Sequence, residues 1–161
     1  MRSIFLFLMA VFLCCSCDDA AFHTQKDLPN SWHKDSAVVL KVDKLDSVKP
    51  YNLFITLRND NTYKYSNLFL ITQIQFPNGK TLTDTLEYAM ANPDGTWLGT
   101  GFGDLKENKL WYRENVLFNE KGVYTFSVRQ AMRRNGDVQP LTTLEGIHDV
   151  GLRIEKTSNK K

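Results

Sequence analysis

The sequence predicts an all-β fold: an antiparallel β-sandwich of seven or eight strands, preceded by an N-terminal signal peptide and a short tether. Three observations carry this. Apolar residues recur at every second position in several short runs, the period of a half-buried strand. Turn-forming pairs, among them Asn78-Gly79, Asp94-Gly95 and Asn135-Gly136, divide those runs. No window of about 12 residues holds a sustained helical period. Only residues 130–134 have room for a single helical turn. Short strands joined by turns in this way pack as a sandwich.

Residues 37–43 form the first predicted strand. In 51–58, Tyr51, Leu53, Ile55 and Leu57 alternate with Asn52, Phe54, Thr56 and Arg58. Residues 68–76 begin apolar on both sides and end with Gln73 and Gln75 outward, as a central strand does on reaching the surface. Pro77-Asn78-Gly79 turns the chain into 80–88, where Thr81, Thr83 and Thr85 alternate with Leu82, Asp84 and Leu86. After Asn92-Pro93-Asp94-Gly95 comes a predicted strand at 96–103, with Gly99, Gly101 and Gly103 spaced by two. Glycines on one face of a strand admit a close backbone or ring, or else mark a weakly paired edge. Further strands are expected at 110–118, 123–130 and 147–155, the last with Val150, Leu152 and Ile154 on one face.

The N-terminus is patterned for export. Arg2 precedes an uncharged run from Ile4 to Leu13, too short to cross a bilayer but right for a signal peptide core. Cys14-Cys15-Ser16-Cys17 follows, then Asp18 and Asp19. Ser16-Cys17 resembles the end of a bacterial lipobox, Leu-x-(Gly/Ala/Ser)-Cys, with Cys14 where leucine is usual. Cys17 is therefore the expected lipidation site. Cys15 is the rival acceptor, and a non-lipidated secreted protein cleaved nearby is the alternative. The resulting division is 1–16 signal peptide, 17–36 lipidated N-terminus and tether, 37–156 sandwich and 157–161 frayed tail. Within the tether, Trp32 is expected to dock on the domain.

All 3 cysteines fall within 14–17, so the rest of the chain has no disulfide, thiolate metal site or cysteine nucleophile. With 20 basic and 18 acidic residues and no basic face, nucleic acid is not an expected partner. His23 and His33 lie in the expected tether. His148 and Asp149 are neighbours on a strand, so they point to opposite faces and cannot form one site from a single strand. The same holds for Asp84 and Glu87, while Asp104 and Glu107 fall in an expected loop. No Gly-x-Ser-x-Gly, His-Glu-x-x-His or phosphate loop is present. The expectation is a non-catalytic protein with no cofactor and no metal. Trp97, Trp111 and Tyr112 either fill the core or stand out to stack on a sugar or anchor a protein partner. For Trp111 the core is the preferred reading. Arg129, Arg133 and Arg134 form a small basic group, solvated or facing an acidic partner.

Several segments combine into a resemblance. They are the lipobox ending at Cys17, Trp111-Tyr112-Arg113, residues 121–126 (Lys-Gly-Val-Tyr-Thr-Phe), Gln130-Ala131-Met132-Arg133, and residues 144–155, which run Leu-Glu-Gly-Ile-His-Asp-Val-Gly-Leu-Arg-Ile-Glu. Together they resemble the GldH family of gliding-motility lipoproteins of Bacteroidetes, from the signal peptide to residue 156. The resemblance implies a protein lipid-anchored through Cys17, associated with the outer membrane and without known catalytic activity. It implies partners among envelope proteins of the gliding and secretion apparatus. Its expected work is to support their assembly or stability by contact, with 96–103, and Gly101 within it, as a candidate edge for strand addition. A carbohydrate-binding envelope lipoprotein is the alternative, with a glycan as partner. Asp35-Ser36-Ala37, Asp46-Ser47-Val48 and Asp84-Thr85-Leu86 look like the Asp-(Ser/Thr)-aliphatic O-glycosylation acceptor of exported Bacteroidetes proteins, which makes Ser36, Ser47 and Thr85 candidate modification sites.

Overall fold

The computed structural model describes residues 20–157, apart from Asn30 and Lys44. Its strands are β1 (Ala20–Asp27), β2 (Ser31–His33), β3 (Val38–Val42), β4 (Tyr51–Asn59), β5 (Asn67–Gln75), β6 (Thr81–Ala89), β7 (Lys106–Val116), β8 (Tyr124–Gln130), β9 (Thr143–Glu145) and β10 (Ile147–Lys156). One four-stranded sheet has the order β1-β10-β4-β7 and the other β3-β8-β5-β6, while β2 and β9 form a small ribbon. Every pairing is antiparallel. The fold is an all-β sandwich, and no helix occurs among the described residues.

Alternation explains the core. Leu53, Ile55 and Leu57 of β4 and Val150, Leu152 and Ile154 of β10 are buried from the first sheet. Leu68, Leu70 and Ile74 of β5 and Phe126 and Val128 of β8 meet them from the second. Burying each such side chain contributes about 1.5–3 kcal/mol. One end is closed by aromatic rings. Phe118 stands edge-on to Tyr124 at 4.8 Å and to Tyr51 at 5.9 Å, and Tyr124 meets Phe76 at 5.6 Å.

Four expectations change. The segment expected as a tether contains β1 and β2. Asp27 pairs with Asp149 and Thr24 with Leu152, so β1 completes the first sheet. Its side chains are mostly exposed because it is an edge strand, and an edge strand needs little apolar patterning. Trp32 does dock: it is fully buried, and its indole N–H donates to the Ser36 carbonyl at 2.8 Å. Residues 96–103 form no strand; only Trp97 and Thr100 make isolated bridges, to Ala91 and Glu107. The strand expected at 110–118 starts earlier, at Lys106, and ends at Val116. Residues 130–134 make no helical turn: Arg133 bridges Pro140 in the loop that leads to β9, a three-residue strand that was not expected.

Candidate functional site

A connected polar group joins the open edges of the two sheets. β7 slips register against β4 so that Leu53 lies opposite Arg113 and Phe54 opposite Trp111, leaving Tyr112 as the extra residue of a bulge. A bulge breaks strict alternation and re-aims the side chains beside it. Tyr112 and Arg113 therefore both reach Asp84 of β6. The Tyr112 hydroxyl donates to Asp84 Oδ2 at 2.9 Å, and Arg113 Nη2 donates to both carboxylate oxygens at 2.8 Å. Alongside, the Tyr88 hydroxyl donates to the Trp111 carbonyl at 2.7 Å. Burial pushes the Tyr88 hydroxyl up to about 12 and also raises that of Tyr112. The hydrogen bond to Asp84 raises Arg113 further, so its charge is fixed. The group acts as a clamp between sheets.

The other carboxylates have similar structural work. Asp149 is 2 % exposed and pairs with Arg58 across the β4–β10 ladder. His148 Nε2 lies 2.7 Å from Asp60 Oδ2, so the neighbours His148 and Asp149 serve different partners. Lys109 donates to Glu155 at 2.7 Å and also lies over the Phe54 ring at 4.1 Å. No cluster of three or more His, Cys, Asp or Glu able to hold a metal occurs among the described residues.

Residues 96–105 form a loop pressed against the start of β7. A Cβ at Gly99 would lie 2.9 Å from the Glu107 carbonyl oxygen, and one at Gly101 would lie 2.5 Å from that of Leu105. The glycines thus admit a close backbone, but through loop packing rather than strand addition. Gly101 and Gly103 both have positive φ, at 148° and 63°, and hold Phe102 between them, 103 % exposed. Sequence reasoning missed Phe102, although the signal is present: an aromatic residue between two turn-forming glycines has no strand neighbours to cover it.

The candidate residues are scattered. Trp111 is 48 % exposed on β7, not in the core as preferred, because β7 is an edge strand and Trp111 is on its outer face. It meets Phe54 edge-on at 5.0 Å. Tyr112 is buried in the clamp, and Trp97 is half-buried, its indole N–H donating to Asn61 Oδ1 at 3.0 Å. The three aromatic residues do not form one platform. Arg133 lines a shallow cavity of about 380 Å³ with Phe69, Ile71, Thr85 and Ala131. Ser36 and Ser47 are exposed in loops, and Thr85 is exposed on β6. Cys17 lies outside the described residues, as does the tail from 158.

A small two-sheet β-sandwich with clamped edges is the class that these features define. The chain belongs to the GldH lipoprotein family, whose model matches residues 20–154. A gliding motility lipoprotein GldH homolog of Christiangramia forsetii is 55 % identical over 98 % of this chain and 97 % of its own. The gliding motility lipoprotein GldH of Flavobacterium johnsoniae is 50 % identical over 94 % of both chains. Among solved structures, the VP2 subviral particle of infectious bursal disease virus matches 86 % of this chain and 33 % of its own at 14 % identity and a TM-score of 0.37, too slight a likeness to bear on this protein.

Proposed function

We propose that this protein is an exported, non-catalytic envelope lipoprotein of the gliding-motility kind. It is held to the outer membrane by acyl chains on Cys17 and supports the gliding and secretion machinery by protein contact. The observation that carries the reading is the near full-length likeness to relatives that bear that name. The polar geometry is in keeping with it, since Asp84, Asp149 and Glu155 are engaged in joining strands. The contact residue we assign is Phe102. A fully exposed ring on a glycine-pinned loop is rigidly presented and gains most from a partner's apolar pocket.

The test uses a strain lacking the protein, complemented with the wild type, Cys17→Ser or Phe102→Ala. Spreading of colonies and membrane fractionation are measured together. Cys17→Ser is expected to leave the membrane fraction and lose spreading. Phe102→Ala is expected to stay in the membrane fraction, fold normally and spread poorly. Normal spreading by Phe102→Ala removes that residue as the contact, and membrane retention of Cys17→Ser removes the anchor.

A further inference from the structure

Two residues, Asp18 and Asp19, lie between Cys17 and Ala20, where β1 begins, a link of three Cα-to-Cα steps. At about 3.6 Å per residue at most, that link reaches about 11 Å. The eight residues of β1 span more than twice that distance at about 3.3 Å each. The link therefore keeps the end of the sandwich that holds Ala20 within about 11 Å of the surface in which the lipid is buried, if Cys17 carries it as proposed above, and does not by itself hold the far end there.

The composition of that end is set by register. Ala20 pairs with Glu155, and the neighbouring Lys156 pairs with Tyr51, itself opposite Val116. Phe118, Tyr124 and Phe76 pack around Tyr51 in turn. Residues 45–50, 76–80 and 117–123 thus gather here. They are tied together: Asn78 donates to Glu120 at 2.8 Å, Gly122 lies against Pro77, and the Thr157 amide donates to the Pro50 carbonyl at 3.2 Å. This rigid end displays Val48, 82 % exposed, together with the half-exposed Leu117 and Val123. Lys80, Lys121 and Lys156 are exposed beside them, with no ion pair among the described residues. Lys49 is paired with Asp46 at 3.2 Å.

We infer that this end is a membrane-docking surface. Val48, Leu117 and Val123 enter the interfacial layer, and Lys80, Lys121 and Lys156 contact lipid phosphates. Aliphatic groups ringed by lysines are the composition that interfacial binding favours. The lipid holds the domain at the surface, and this end fixes its orientation. Leu98, Phe102 and Val138 project from the opposite end. That end lies about 30 Å away, from nine-residue strands at about 3.3 Å per residue, and faces away from the bilayer.

The test uses the mature, acylated protein in vesicles of three parts phosphatidylethanolamine to one part phosphatidylglycerol. With Cys17 blocked by acylation, Val48→Cys, Val123→Cys and Val138→Cys each provide a single thiol for an environment-sensitive fluorophore. Labels at 48 and 123 are expected to shift to shorter wavelength and be quenched by nitroxide lipids. The label at 138 is expected to behave as in water. Exchanging Lys80, Lys121 and Lys156 for Glu should lower quenching at least about twofold, since lysines near an anionic surface are attracted to it and glutamates are repelled. Vesicles that carry the protein while all three labels stay aqueous, or are quenched alike, overturn the docking surface and leave the anchor standing. Failure of the protein to float with the vesicles overturns both.

Discussion

Gly146 shows most directly how one residue sets the architecture. It joins β9 to β10 with φ at +80°, and a Cβ there would lie 2.2 Å from the Tyr63 amide nitrogen. Its carbonyl also accepts the Asp60 amide at 3.0 Å. Gly146→Ala must strain the backbone and displace a neighbouring chain, so a loss of at least about 2 kcal/mol is expected in denaturant unfolding. Gly151 is a second such position. A Cβ there would meet Thr56 Oγ1 at 2.5 Å and the Thr24 carbonyl at 2.6 Å, so β1 and β4 close over it. These contacts give a physical reason for both glycines in the segment 144–155. At the clamp, Asp84→Asn removes the charge that holds Arg113 and should cost about 1–3 kcal/mol, seen as a lower midpoint with unchanged circular dichroism. Glu155 adds a pH dependence. Burial works to raise its pKa, but hydrogen bonds from Lys109 and Arg153 outweigh burial and hold it below the usual 4.5. Its contribution is therefore complete above the unfolded value and is lost as pH falls through the lower folded value. Glu155→Gln should flatten the stability profile in that acid range, and an unchanged profile would show that the pair contributes nothing.

Among the elements, the strands with alternating apolar residues were legible, the edges β3 and β6 included, and β1, β2 and β9 were not. β4, β5, β8 and β10 are buried on the core side, so their side chains must alternate, and that alternation is visible in the chain as Leu53, Ile55 and Leu57 or Phe126 and Val128. β1 pairs along its whole length but buries little, and its Phe22-His23-Thr24-Gln25 stretch resembles a linker. The hydrogen bonds of a main chain leave no trace in composition. The clamp was illegible for a related reason: it depends on a bulge at Tyr112, which depends on pairing with β4. Starting the chain at Leu28 should therefore lower the melting temperature by about 5–10 °C, at about 2–4 °C per kcal/mol for a domain this size. A true tether would show no change. β6 offers a sharper test of edge geometry. Phe76 donates to the Lys80 carbonyl and Met90 to the Ser66 carbonyl, so even-numbered residues of β6 bond to β5 and odd-numbered amides point to the open edge. Thr83→Pro should then be tolerated, whereas Leu82→Pro should unfold the sheet. Equal damage from both would show that the edge is covered.

At the scale of the whole molecule, the two ends differ in what they expose. The end with Ala20 carries Val48, Leu117, Val123 and lysines, and the far end carries Phe102 on its pinned loop. A lipid alone would hold the domain at the membrane without orienting it. If Cys17 is lipidated and the Ala20 end docks as proposed, the short link couples the anchor to that end, and Phe102 would be presented away from the bilayer at a fixed height. Raising the local concentration of a contact residue helps only when linker length lets it meet its partner. Inserting about twenty glycine and serine residues between Asp19 and Ala20 lets the ends separate by about 25 Å on average. The variant should remain membrane-bound and as stable as the wild type, because neither Cys17 nor any strand pairing is altered. Its labels at 48 and 123 should lose quenching, and complementation of spreading should fall although Phe102 is intact. Full complementation by the long-linked form would mean that the domain works at any distance from the membrane, and the oriented arrangement would then have no part in function.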